Sequence, residues 1–145
     1  MRIYQHELSI ETKGRGLYDL GAEVAAIVKA SAVSAGLCTI FVRHTSASLL
    51  IQENADPSVQ RDLLAWLDDL APESRAWEHD DEGKDDMPAH AKSAVTRTQE
   101  SIPIADHRMV LGTWQTIYLV EHRTRPHQRK IFVHVSGWAD PSVPL

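Results

Sequence analysis

The chain is 145 residues long, the size of one typical domain and enough to bury a sizeable core. Its 43% hydrophobic and 24% charged content is that of a globular protein, and a net charge of −5 argues against non-specific nucleic-acid binding. The one cysteine, Cys38, excludes an internal disulfide. No apolar run reaches membrane-spanning length and no signal-peptide stretch opens the chain, so a soluble cytoplasmic protein away from membranes is the default expectation.

Alternation from Ile3 to Glu11 predicts a first strand, and Gly14 and Gly16 punctuate a turn after it. From Asp19 the apolar positions Leu20, Val24, Ile27, Val28 and Ala32 recur at helical spacing, with Gly36 as the stop. Leu37 to Val42 is β-branched and aromatic and predicts a strand buried on both faces, with Cys38 a bland buried thiol. His44 to Ser46 then bends, and Ala47 to Gln52 continues as a strand. Asp56-Pro57 caps and opens a helix that lines up Val59, Leu63, Leu64, Leu67 and Leu70 before Pro72 stops it. Glu73 to Asp86 is polar and acidic, a loop whose length points to function or mobility. Asp86-Met87-Pro88 opens a third helix reaching about Thr98. Ser101–Ile104, Met109–Leu111, Gln115–Val120 and Arg129–Val135 read as further strands, and Gly137 and Pro141 mark a frayed tail. Short connections between the later strands predict one α+β domain over residues 1–145. Its core is a mainly antiparallel, sandwich-like sheet with about three helices.

If the backbone is extended there, His44, Ser46 and Ser48 share one side. A histidine beside two hydroxyls can hold a phosphate, orient water or act as general base; it can equally be a quiet hydrogen-bonded strand end. His79 lies in the acidic loop. His90 lies near the start of the third helix, where free N–H groups and the dipole favour anions. Neutral imidazole is the commonest metal ligand near neutral pH, and His44, His79 and His90 with water would suit a zinc-type open site. Their spacing matches no short metal signature. Asp80, Asp81, Glu82, Asp85 and Asp86 offer oxygen ligands or support for ligands; the plain alternative is a solvated acidic loop.

Lys92 projects from a different side of its helix than His90, toward a phosphate or toward solvent. Asn54 can bind ligand or close a turn. At the junction Gly112-Thr113-Trp114-Gln115, the tryptophan walls a pocket or fills the core behind a bulge. Strict alternation puts Thr113, Gln115 and Glu121 on one face. Arg123, Arg125, Arg129 and Lys130 form either a phosphate site or a solvated strand edge. His6, His107, His122, His127 and His134 read as surface or sheet-edge residues. No Walker loop, Gly-x-Gly-x-x-Gly, Cys-x-x-Cys or Gly-x-Ser-x-Gly pattern occurs.

The stretches HTSASLLIQENADPSVQRD, HDDEGKDDMPAHAKS, SIPI and LGTWQTIYLVEHR resemble the YjbQ-like family, in the family's order and over nearly the whole chain. The extension after Gly137 is peculiar to this chain. The resemblance implies an α+β fold with a substantial antiparallel sheet, a homotrimer, and a histidine cluster that looks like a metal site, carried here by His44, His79 and His90. It also implies a weak thiamine-phosphate synthase activity, joining a pyrimidine diphosphate to a thiazole phosphate with release of pyrophosphate. In that scheme a divalent metal, zinc first and magnesium with a diphosphate substrate, neutralises charge on the leaving group. Ser46, Ser48, Asn54, Lys92, Thr113 and Gln115 hold the small phosphorylated metabolite. His44 acts as a catalytic residue, and Glu121 or Asp86 orients ligands or shuttles a proton. Histidine ligands favour zinc, whereas diphosphate chemistry usually employs magnesium, so two alternatives stand beside it. One is metal-dependent hydrolysis of a small metabolite; the other is a non-enzymatic metal or small-molecule-binding module.

Overall fold

A computed structural model of the protein describes residues 1–140 and Ser142. The elements run β1 (Arg2–Glu11), β2 (Gly16–Asp19), α1 (Gly21–Ser31), β3 (Ala35–Val42), β4 (Ala47–Glu53), α2 (Pro57–Leu70), α3 (Asp86–Val95), β5 (Gln99–Ala105), β6 (Arg108–Met109), β7 (Gln115–Glu121) and β8 (Gln128–Trp138). They form two antiparallel sheets, ordered β1-β8-β3-β5-β6 and β2-β7-β4. Cys38, Ile40, Val133 and Val135 of the larger sheet share one core with Leu49, Ile117 and Leu119 of the smaller and with Val24 and Val28 of α1. Each such Val, Ile or Leu side chain contributes about 1.5–3 kcal/mol by leaving water. The expected α+β, sandwich-like architecture with three helices is present.

Several local expectations are overturned. β2 occupies the segment expected to be only a turn. α1 ends earlier, because Ala32 takes a left-handed conformation (φ 56°) and its N–H closes onto the Lys29 carbonyl. Gly36 is used elsewhere: a Cβ there would lie 2.1 Å from the Ser136 carbonyl oxygen, so glycine permits the close approach of β3 and β8. Gly137 is likewise no frayed end, since it pairs with both Arg2 and Gly36 inside β8; Pro141 lies outside the described residues. β3 buries one face only, because nothing among the described residues covers Leu37 and Phe41, which are 41% and 43% exposed. α3 stops at Val95, and Thr96 Oγ1 turns back onto the Lys92 carbonyl at 2.7 Å. α2 begins as expected, with Pro57 in its first turn and Asp56 accepting from the Ser58 N–H. Among the described residues, no helix is long and apolar enough to cross a membrane.

The register of β4 on β7 sets where chemistry can gather. Ala47 lies opposite Glu121 at one end, and Glu53 opposite Gln115 at the other. At about 3.3 Å per residue, those ends are roughly 20 Å apart. α3 packs against the Ala47 end, where Ser93 Oγ donates to the Ala47 carbonyl.

Candidate metal centre

Three side chains meet where the acidic loop enters α3. His79 Nε2 lies 2.8 Å and His90 Nε2 3.3 Å from the same Asp86 oxygen, Oδ2. One donor atom from each residue falls within 4.8 Å of the others. The imidazole rings stand edge to face, with centroids 5.7 Å apart. Helical geometry places Asp86 and His90 four residues apart on one face, and the loop returns His79 to them. His90 Nδ1 is 3.1 Å from the Thr45 carbonyl, which can only accept, so Nδ1 carries the proton. A neutral His90 therefore turns a lone pair toward the Asp86 carboxylate. Two acceptors in that position need a cation between them, either a proton or a metal. The residues thus fit a divalent ion: two nitrogens and one carboxylate oxygen, with a backbone carbonyl orienting one imidazole.

Arg123 supports this arrangement from behind. Its Nη1 donates to Asp86 Oδ1 at 2.6 Å, its Nε to Asp85 Oδ2 at 2.9 Å, and its Nη2 to the Glu82 carbonyl at 3.0 Å. One Asp86 oxygen is thereby fixed while the other faces the histidines. Burial works to raise the Asp86 pKa, but the His79 hydrogen bond and the Arg123 charge hold it below the usual carboxylate range. Asp85 is likewise opposed by burial, yet the Thr124 N–H and Arg123 bring it to about 2. His79 is raised, first by its hydrogen bond to Asp86. Asp86 is therefore ionised near neutral pH, as a ligand must be.

The chain matches the model of the family described as UPF0047 protein YjbQ-like over residues 6–138. The chain belongs to the YjbQ-like family. A UPF0047 protein of Synechocystis sp. is 55% identical, over 94% of this chain and 93% of its own length. UPF0047 protein YjbQ of Salmonella typhimurium is 38% identical, over 92% and 98%. Among solved structures, a YjbQ/UPF0047 protein of Clostridium acetobutylicum superposes with a TM-score of 0.84 at 36% identity, covering 90% of this chain and 99% of that one. A protein of unknown function from Sulfolobus solfataricus also reaches 0.84, at 27% identity and with 94% and 99% covered.

Not every residue expected at a YjbQ-like site reaches this one. His44 lies outside the cluster, because its Nε2 accepts the Lys130 N–H at 2.7 Å. Glu121 is wholly buried, with both oxygens engaged. Oε1 accepts from Thr12 Oγ1 and Arg129 Nε at 2.6 and 2.8 Å, and Oε2 accepts from Arg129 Nη2 and the Arg123 N–H. It clamps Arg129 and does not face the histidines. Ser46 Oγ accepts from Arg129 Nη2, and Ser48 Oγ is held by His122 Nε2 and Thr96 Oγ1. Lys92 does not reach solvent: it is buried, with Nζ 2.6 Å from Asp68 of α2. Asn54, Thr113 and Gln115 sit exposed at the far end of β4 and β7, where the Asn54 N–H meets the Trp114 carbonyl and Gln115 Oε1 caps the Gly112 N–H. Trp114 neither walls a pocket nor fills the core, being 62% exposed. His122, expected at the surface, is 1% exposed. Arg123 is no solvated edge, since its guanidinium is engaged by Asp85, Asp86 and the Glu82 carbonyl; the sequence offered one unused signal, a charged Glu-His-Arg run continuing directly from a strand buried on both faces.

Proposed function

We propose that this protein is a metal-dependent enzyme of the cytoplasm acting on a small phosphorylated metabolite. His79 Nε2, Asp86 Oδ2 and His90 Nε2 would hold the divalent ion, zinc in preference to magnesium. The observation that carries this is the convergence of those atoms within 4.8 Å, with His90 already committed to the correct tautomer. Three protein ligands of this kind leave a position open for chemistry, as catalytic zinc sites do. An ion bound there would supply Lewis-acid chemistry, activating water and neutralising charge that builds on a leaving phosphate or pyrophosphate.

Three of the chain's cations bear on the choice of reaction. Lys92, Arg123 and Arg129 are each bound to an internal carboxylate, so none is free to grip a diphosphate. That favours hydrolysis as the main reaction. The thiamine-phosphate synthase activity implied by family resemblance then becomes a weak side reaction of the same centre. A homotrimer is proposed with it. The register aligns Ile3, Ser136 and Leu37 across the larger sheet, and the exposed Ile3 and Leu37 leave apolar surface for a second copy to cover.

Elemental analysis of untagged protein tests the centre. One zinc per chain is expected in the wild type and in His44→Ala, and none in the His79→Ala/His90→Ala double variant. Equal metal in the wild type and the double variant would overturn the assignment. Paired pyrimidine diphosphate and thiazole phosphate should give slow thiamine-phosphate formation that the double variant loses. Sedimentation as a stable monomer at micromolar concentration would remove the trimer.

A further inference from the structure

The histidine–aspartate cluster stands between two clefts of opposite character. His79 borders a cleft of about 650 Å³ whose walls include Glu78, Asp80 and Asp81. His90 borders another of about 480 Å³, lined by Phe41, Val42, His44, Thr45 and Ala94, with Arg43 among its residues and no carboxylate. Carboxylate walls attract a cation and repel an anion; the second cleft, with Arg43 and no carboxylate, does not repel an anionic metabolite, and its size and apolar lining suit a small molecule.

Two polar groups in the second cleft are unspent. The Lys130 N–H can only donate, so His44 Nε2 is an acceptor and the neutral ring carries its proton on Nδ1. Burial and the Arg129 charge lower the His44 pKa, which keeps it in that neutral form. No described residue accepts from His44 Nδ1. Arg43 gives Nη1 to Glu7 at 2.7 Å, yet its side chain is 56% exposed, which leaves further guanidinium donors open.

We propose that the cavity between the end of β3, the 43–45 segment and α3 is the substrate pocket, taking a metabolite that joins an apolar ring or chain to an anionic phosphate. The apolar part packs on Phe41, Val42 and Ala94. His44 Nδ1–H donates to a substrate oxygen, Arg43 steers the charge, and His90 places the molecule against the cluster. The acidic cleft at His79 is the cation's approach. His44 is thus a substrate-binding residue and no metal ligand. This proposal rests on the cluster being the catalytic centre.

Phenylphosphonate, a ring bearing a phosphonate that cannot be hydrolysed, is the probe, with inorganic phosphate beside it. Both are titrated by NMR into metal-free and zinc-loaded protein. Phenylphosphonate should move the amides of Thr45, Ser93 and Thr98 and bind more tightly than phosphate. Ala94→Trp, at an exposed helix position, fills the cavity and should weaken phenylphosphonate by about tenfold or more while its melting curve and zinc content stay unchanged. His44→Phe should weaken it by about fivefold, the loss of one hydrogen bond. Shifts confined to residues 78–81, equal affinity in Ala94→Trp, or no shift at millimolar probe would each overturn the proposal. If the wild type binds no zinc, the metal-centre reading fails, and the titration of metal-free protein still decides whether the cavity is the pocket.

Discussion

His122 shows what burial does to a side chain that composition marks as ordinary. Burial, and then the nearby Lys92 charge, bring its pKa down to about 3. In the unfolded chain it titrates at about 6.5. Below about 6.5 the unfolded state takes up a proton that the folded state refuses, so stability falls with pH until about 3, by a few kcal/mol in all. His122→Gln keeps a nitrogen near the Ser48 hydroxyl and should flatten urea-unfolding free energy between about pH 6.5 and 4. A slope identical to the wild type's would refute the buried neutral histidine. Glu121→Ala separates structure from chemistry in a different way. It strands Arg129 in the interior and should cost about 3–5 kcal/mol, while zinc content is retained. Loss of zinc without loss of stability would return Glu121 to the metal site. At this scale the sequence exposed the residue types and hid their partners. His79 and His90 were visible as candidate ligands. Arg123 and Asp85 were not visible as a support, because a partly buried ion pair spanning 38 positions leaves no local pattern.

At the scale of elements, period and capping carried most of the information. The Asp56-Pro57 start of α2 was legible because a cap and an N-terminal proline are local chemistry. Asp56→Ala should cost about 1 kcal/mol, read as a small drop in melting temperature with unchanged zinc affinity; no drop would mean that the cap is dispensable. β2 was hidden because its glycine-punctuated start reads as a turn, and only pairing with β7 makes Gly16–Asp19 a strand. The end of α1 was misplaced because a non-glycine residue, Ala32, takes the left-handed position that glycine usually fills. Gly36 and Gly137 then serve the sheet. A Cβ on Gly36 would meet the Ser136 oxygen at 2.1 Å, and one on Gly137 would meet the Ala35 oxygen at 2.2 Å. Both contacts are with backbone, which cannot swing aside. Gly36→Ala should therefore destabilise the protein by several times the roughly 0.5–1 kcal/mol that a strand glycine usually gives back on such a change. A stability gain would show that the strands can separate at no cost.

For the whole molecule, the α+β class was legible because helical and strand periods are each local. The pairing of β1 with β8, and the grouping of β2, β7 and β4, depends on contacts between distant parts of the chain that periodicity does not record. The candidate centre belongs to this long-range class. Its loop is held to the body by Arg123 and by His79, and His79 meets α3 at Asp86 and, ring edge to face, at His90. A zinc ion shared by His79, Asp86 and His90 would tie loop and helix together in the folded state alone. Binding to the folded state alone adds about 2.7 kcal/mol at a free zinc concentration one hundred times Kd. For a domain of this size that raises the melting temperature by roughly 5–10 °C. A chelator should reverse the rise, and His79→Ala, whose half-exposed ring supports little else, should abolish it. The same rise in His79→Ala would mean that zinc stabilises the protein from elsewhere, and the metal bridge between loop and helix would be withdrawn.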